Sequence, residues 1–252
     1  MKKNLILISA FLFGLLNVSG QENVPEPQLW FCWEATVNPA QLDEFMDLQI
    51  EIRRTHLKEA GLSYPISAWT DGLFTYYFFY PVDSYNDKDD IYNELGKAIE
   101  LQGNDWLSRM FSTLDNHTTW FIRWDPDLSY SPENARRKSD EGVYCIWDIY
   151  YIDSGKEQEI RNLQKRFVTA LKEKGYDDWV DTYIGELGLD GYFYMGVLFG
   201  KSPADLWAQN EVMWELLGKE GSQLFNEMRK YIKKRDFKQF WYMKNLSYDP
   251  EE

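Results

Sequence analysis

The chain is poor in the residues that most often carry catalysis. Its 252 residues include two histidines, His56 and His117, and two cysteines, Cys32 and Cys145. No His-x-x-x-His or Cys-x-x-Cys spacing occurs, so there is no evident zinc ligand set and no metal site is expected. Gly-x-Ser-x-Gly elbows, glycine-rich phosphate loops and dinucleotide fingerprints are also missing, which disfavours hydrolase, kinase and NAD-dependent chemistry. The acidic run DSYNDKDD (Asp83–Asp90) lacks the glycine and terminal spacing of an EF-hand. It reads instead as a solvated helix start, with acids near the positive end of the helix dipole. Basic residues are few, 27 Lys and Arg against 41 Asp and Glu. That balance excludes the basic footprint by which proteins hold nucleic acid or anionic membranes.

Long apolar runs are missing beyond the N-terminus. There, Lys2 and Lys3 precede LILISAFLFGLL (Leu5–Leu16) and a polar, small-residue exit, Asn17-Val18-Ser19-Gly20. This is the layout of a secretory signal peptide (residues 1–20), with cleavage near Gly20–Gln21; the alternative is an uncleaved anchor. The run is short for a membrane span, and no cysteine follows it to take a lipid. The expected mature protein is soluble and exported, periplasmic or secreted, without membrane association. Loss of two lysines and no acids takes its net charge from −14 to −16. In an exported protein a disulfide could persist, yet Cys32 and Cys145 each sit in an aromatic, apolar run and read as buried free thiols.

What the chain has in abundance is aromatic residues, 11 Trp, 17 Tyr and 15 Phe, and text that recurs. LSYSPE (Leu128–Glu133) returns as LSYDPE (Leu246–Glu251), and the segments before each copy match in order. WFCWEATV (Trp30–Val37) pairs with VYCIWDIYYI (Val143–Ile152), each holding a Trp-acid step, Trp33-Glu34 and Trp147-Asp148. Helices follow, capped by Asn38-Pro39 and by a Ser154/Glu157 box, with DLQ (Asp47–Gln49) against NLQ (Asn162–Gln164). They end in LKEAG and LKEKG, where Gly61 and Gly175 suit a left-handed C′ position. Two strands around Asp71-Gly72, and two around Asp190-Gly191, predict hairpins. Helical stretches interrupted at Gly103 and Gly221 lead to final strands TTWFIRW (Thr118–Trp124) and KQFWYM (Lys238–Met243).

Strand, helix, strand, strand, helical pair, strand is the βαββαβ ferredoxin-like order. The expected layout is an extension over 21–28, a first unit over 29–133, a polar linker over 134–142 and a second unit over 143–252. LFTYYFFY, YFYMGVLF and VYCIWDIYY are apolar at both parities, so each sheet expects cover on both faces, from its own helices and from the other sheet. The predicted class is α+β, with two antiparallel sheets face to face.

Two such fused units resemble the dimeric α+β-barrel (ferredoxin-like) superfamily in its single-chain form. The resemblance is topological and covers nearly the whole mature chain, with no motif that selects a subfamily. It implies a pocket inside the barrel. Its members include monooxygenases, isomerases, haem enzymes and non-catalytic binding proteins. The haem-bearing chlorite dismutase-like and dye-decolourising peroxidase families place a proximal histidine in the C-terminal half. Here His56 and His117 both lie in the first half, so haem is disfavoured and no cofactor is expected. His56 reads as a helix-surface residue, His117 as a loop residue before the last strand, and Arg53-Arg54 as a helix face.

The strand acids Glu34 and Asp148 are the candidate acid-base residues, since burial in an apolar wall raises a carboxyl pKa. The competing reading for Glu34 is exposure at a strand end or an ion pair with Arg123 on the neighbouring strand. Trp33, Trp69, Tyr76, Trp147, Tyr183 and Tyr194 are candidate ligand contacts for a planar, aromatic or sugar-like molecule; the alternative is that these rings fill the space between the sheets. Three functions stay open: a small-molecule-binding or accessory protein, a cofactor-independent monooxygenase or isomerase, and an interaction module with a filled core.

Overall fold

The computed structural model describes residues 25–103, 105–189 and 191–251. The expected signal peptide and Asp190 of the second Asp-Gly pair lie outside them. The first half runs β1 (Gln28–Val37), α1 (Leu42–Thr55), β2 (Ser67–Thr70), β3 (Thr75–Val82), α2 (Asp87–Gln102), α3 (Trp106–Ser112) and β4 (Leu114–Trp124). The second runs β5 (Tyr144–Ile152), α4 (Glu157–Lys174), β6 (Asp181–Gly185), β7 (Phe193–Gly200), α5 (Pro203–Met228) and β8 (Ile232–Tyr242). All pairings are antiparallel, and the strands close into one barrel in the order β1-β3-β2-β8-β5-β7-β6-β4. The α+β class and barrel expected from the strand pattern are therefore present. None of the helices is long and apolar enough to cross a membrane among the described residues.

Each half contributes four strands in the same relative order, and the two seams are equivalent, each joining the second strand of one half to the last strand of the other. β2 pairs with β8 through Trp69↔Tyr242 and Thr70↔Trp241, and β4 pairs with β6 through Ile122↔Gly185 to Trp124↔Tyr183. Closure removes every sheet edge, the usual site of strand-to-strand aggregation. Beyond β6 the chain stays on β4: Phe121 N–H donates to Leu187 O (2.8 Å), and Glu186 N–H to Phe121 O (3.0 Å). Gly188, at φ +84°, makes this approach feasible, because a Cβ there would lie 2.5 Å from Thr119 O.

The recurring LSY text forms the clasps across the halves. Tyr130 exchanges backbone hydrogen bonds with Val180 (2.8 and 3.0 Å), and Tyr248 does the same with Ile66 (2.8 and 2.9 Å). Ser129 Oγ accepts from Thr182 N–H, as Ser247 Oγ accepts from Ala68 N–H. The tyrosine hydroxyls donate to Tyr176 O (2.6 Å) and Leu62 O (3.2 Å), while Leu128 and Leu246 are fully buried beneath. Each copy thus pins its own half to the strand entry of the other.

The barrel interior is a largely aromatic core built from Trp30, Cys32, Trp69, Tyr77, Phe79, Trp120, Trp147, Phe193 and Phe240. Their rings meet mainly edge-on or tilted, the arrangement that ring quadrupoles favour. Both cysteines are free and buried. The outer faces are covered by helices, α1–α3 over the first half and α4–α5 over the second.

Local readings differ in five places, the first being that α1 ends at Thr55 with His56 as its C-cap, short of the expected Gly61. Ser154 does not cap α4: Lys156 is the N-cap, without a side-chain bond, and Glu157 accepts from Gly155 N–H. The break in α5 falls at Gly218 (φ 53°), three residues before the expected Gly221. His117 lies within β4, because that strand starts earlier than its apolar text. Residues 134–142 are polar but not free: Arg137 is 3% exposed and pairs with Asp178 (2.9 Å), while Arg136 bridges Asp178 and Asp205.

Candidate functional site

The space inside the barrel amounts to about 40 Å³, between Trp30, Trp69, Trp147, Tyr183 and their neighbours. That is room for about one water, so the aromatic rings fill the barrel and the expected internal pocket is closed. A far larger cavity, about 500 Å³, lies outside the barrel, between the sheet of the first half and α1–α3. Its floor is Phe31, Trp33 and Tyr80, its helical walls carry Ile52, Leu95, Ile99, Trp106 and Met110, and His117 and Thr118 stand at its edge.

Helix packing accounts for the void. Gly103 (φ 113°) ends α2 and separates it from the short α3, and α2 buries only Ile91 and Ala98. Leu95 and Ile99, one turn to either side of the fully buried stripe, face the cavity half-buried. In the second half α5, kinked at Gly218, buries Leu206, Met213, Leu217, Leu224 and Met228 against its sheet and α4, where Ile160 and Leu171 have no exposed surface. The first cavity opens to solvent between Tyr92, Leu107 and Phe111, each about 40% exposed, and the His117 ring lies 5.2 Å from that of Phe111.

Two polar side chains of α1 point into this apolar space. Gln49 is 3% exposed, and Arg53 is one turn further along the same stripe as Phe45, Leu48 and Ile52. Arg53 Nη1 donates to Gln49 Oε1 (2.5 Å) and Gln49 O (3.0 Å), Nε donates to Leu246 O, and the guanidinium sits 4.7 Å from the Phe78 ring centre. No carboxylate pairs with Arg53 among the described residues. Burial lowers its pKa to about 10, with Tyr80 opposing, so the group stays charged at neutral pH. Burial also pushes the Tyr80 phenol up to about 12, with Arg53 pulling the other way.

The residues singled out from sequence are spread over three environments. Trp33 lines the cavity and stacks on Phe78 (5.2 Å). Trp69, Trp147 and Tyr183 face the barrel interior. Tyr76 packs on Phe45 (4.9 Å) under α1, and Tyr194 lies under the helices of the second half, donating to Glu157 O (3.2 Å). Glu34 faces inward at one end of the barrel, where it accepts from Trp120 Nε1 (2.8 Å) and from Tyr77, whose phenol is raised by burial and then by Glu34 itself. Lys238 Nζ lies 3.3 Å from the Tyr77 hydroxyl.

Asp148 faces outward and is held by Arg235 through two bonds (2.6 and 2.7 Å), with Tyr150 donating as well. The two Trp-acid steps are therefore not equivalent. Cys32 and Cys145 both point inward, opposite Phe79 and Trp120 in one half and Phe199 and Phe240 in the other. Counting from them, Glu34 corresponds to Trp147, and a one-residue offset reverses the face. The expected Glu34–Arg123 pair is also absent. Glu34 stands opposite Thr118, whereas Arg123 points outward and pairs with Glu186 (2.7 Å).

Gln49 and Arg53 escaped notice in the sequence because Arg53-Arg54 reads as a solvated pair. Their spacing from Phe45 and Ile52 on the apolar stripe is the signal that marks them.

No protein-family model matches the chain, and no curated protein matches it. Solved structures do. An anthrone oxidase-like protein aligns with 89% of this chain and 94% of its own, at 10% identity and a TM-score of 0.60. A candidate monooxygenase from Lactobacillus acidophilus NCFM aligns over 89% and 97%, at 7% identity and 0.55. A mutant chlorite dismutase from Candidatus Nitrospira defluvii aligns over 86% and 92%, at 10% identity and 0.51. At these identities the likeness is one of fold alone.

The chlorite dismutase match corrects the expectation of no cofactor and the disfavouring of haem. That expectation rested on both histidines lying in the first half, and the open cavity lies there too. The cavity wall carries His117, Tyr80 and Met110, all of side-chain types that ligate haem iron. Tyr80 and His117 lie four residues apart in strand register, so one of these side chains and not a converging set would hold the iron; bound there, the group would supply redox chemistry.

Proposed function

We propose that this chain binds a small, largely apolar molecule in the cavity beneath α1–α3, and that the first half is the working half of a tandem pair. The observation that carries this reading is the 500 Å³ cavity, open at a rim of exposed apolar side chains, against about 40 Å³ inside the barrel. Concave, mostly apolar sites of some hundreds of Å³ with a few fixed polar groups are the usual form of a ligand site. Packed interiors otherwise leave few voids larger than a water.

The chemistry best supported by the comparisons is oxidation of the bound molecule, of the monooxygenase type, since the anthrone oxidase-like protein and the candidate monooxygenase share the fold over most of both chains. Export through residues 1–20 belongs to the same proposal and is checked by N-terminal sequencing of the protein recovered from its host.

Native mass spectrometry of gently purified protein, with a visible absorption spectrum of the same sample, tests the binding reading. A co-purifying mass supports it, and titration with haemin asks whether a Soret shift develops at one equivalent. An apo mass, together with no binding of haemin or of naphthalene-sized probes, would sink it.

A further inference from the structure

We propose that the ligand of this cavity is an anion, an aromatic or otherwise apolar molecule bearing a carboxylate, and that Arg53 is the residue that receives it. The inference rests on the cavity reading above and adds the charge of the occupant.

Three observations converge on it. Arg53 lines the cavity as a cation without a carboxylate partner among the described residues. Its Nε and Nη1 are committed to Leu246 O and to Gln49, which fixes the fork in place and leaves Nη2 without an acceptor. Isolated buried charge is costly, and buried ions are normally paired. In a chain with 41 acids against 27 bases, a half-buried arginine facing an apolar cavity without a carboxylate stands apart from Arg123, Arg136, Arg137, Arg161 and Arg235, each of which has one.

The second half supplies an internal contrast. Gln164 matches Gln49 in the helix text and is likewise half-buried or better, donating to Leu128 O (3.2 Å) and Thr182 Oγ1 (3.1 Å). Four residues on, where the first half has Arg53, the second has Val168, and the space there is filled. The cation and the large cavity thus share one half, while the equivalent position of the other carries an apolar side chain in a packed cluster. The rest of the site suits an aromatic acid. Trp33 and Phe31 offer flat faces, and the Tyr80 hydroxyl, with no hydrogen bond among the described residues, is a second donor near Arg53. With Nε and Nη1 engaged, Nη2 remains to give a carboxylate a charge-assisted hydrogen bond.

The test is calorimetric titration with 2-naphthoate and with its uncharged isostere 2-naphthamide. A charged hydrogen bond in a desolvated site predicts that naphthoate binds on the order of 10- to 100-fold more tightly. Arg53→Met should erase that preference while leaving the amide affinity within a few-fold, and Arg53→Lys should retain part of it. Equal affinities in the wild type, or a preference that survives Arg53→Met, overturn the proposal while amide binding leaves the cavity reading standing. Binding of neither probe overturns both. If Arg53→Met fails to fold, the wild-type pair of titrations and Arg53→Lys still decide the matter.

Discussion

The two halves of this molecule share strand order, clasps and a buried glutamine on the first helix, yet one is hollow and the other is full. In the second half α5 lays five large apolar side chains onto its sheet and α4. In the first, α2 and α3 are separated at Gly103, α2 buries just Ile91 and Ala98, and a cavity stays open beneath them, whereas α5 packs down on both sides of its own kink at Gly218. A filled layer maximises apolar burial and dispersion contacts. A hollow one forgoes that stabilisation, and the forgone packing is recovered only when something occupies the space. On the reading proposed above, this difference makes the second half the scaffold and the first the place where a ligand acts.

The largest effect that would expose this difference is on stability. Leu171→Ala, at a fully buried site of the filled half, should cost about 3–5 kcal/mol, since a closed core relaxes only partly around a new void. Leu95→Ala, which merely enlarges an open cavity, should cost about 1 kcal/mol or less. Urea unfolding of both variants checks the contrast; similar losses would break it.

A second effect concerns buried charge. The second half closes one barrel end with Arg137, Asp178 and Asp181, and burial raises the Asp181 pKa from 3.8 to about 6, against a hydrogen bond from Trp124 and the pull of Arg137. The folded state therefore binds a proton more tightly than the unfolded chain. Stability from this group is present below pH 3.8 and declines as pH rises toward 6, after which the penalty is constant. Discounted for partial exposure, Asp181→Asn should stabilise the protein by about 2 kcal/mol above pH 6 and flatten that decline. Urea midpoints of both proteins at pH 5 and pH 8 measure it.

The smallest effect lies in the clasps. Tyr130→Phe and Tyr248→Phe each remove one hydroxyl bond, to Tyr176 O (2.6 Å) and Leu62 O (3.2 Å). Each should cost about 0.5–1.5 kcal/mol. The more buried Tyr130 should cost more, and a reversed order would show that the two clasps are not equivalent.

Much of the architecture is legible in the residues. Strands apolar at both parities require cover on two faces, and that requirement alone leads to a barrel wrapped in helices. The LSYSPE and LSYDPE copies locate the two strand ends, although only the structure shows each tail crossing to the other half. Facing was harder to read. Trp33-Glu34 and Trp147-Asp148 look alike as text, but alignment on Cys32 and Cys145 places them one residue out of step, and in a strand one residue is the whole difference between inside and outside. The cavity was illegible for a different reason. Aromatic composition does not distinguish a filled space from an empty one, because that depends on how closely α2 and α3 approach the sheet. Arg53 reads as half of a solvated Arg-Arg pair, and only its place on the stripe through Phe45, Leu48 and Ile52 could have marked it as a charge on the packed face.

The most direct test of the hollow first half is to fill it. Ile99→Trp places an indole in the cavity without touching the second half or the barrel interior. Calorimetric titration of wild type and variant with 2-naphthamide should give one site in the wild type and none in the variant, with both proteins folded by circular dichroism. Equal binding by the two proteins, or a wild type that takes up no probe, would contradict the account.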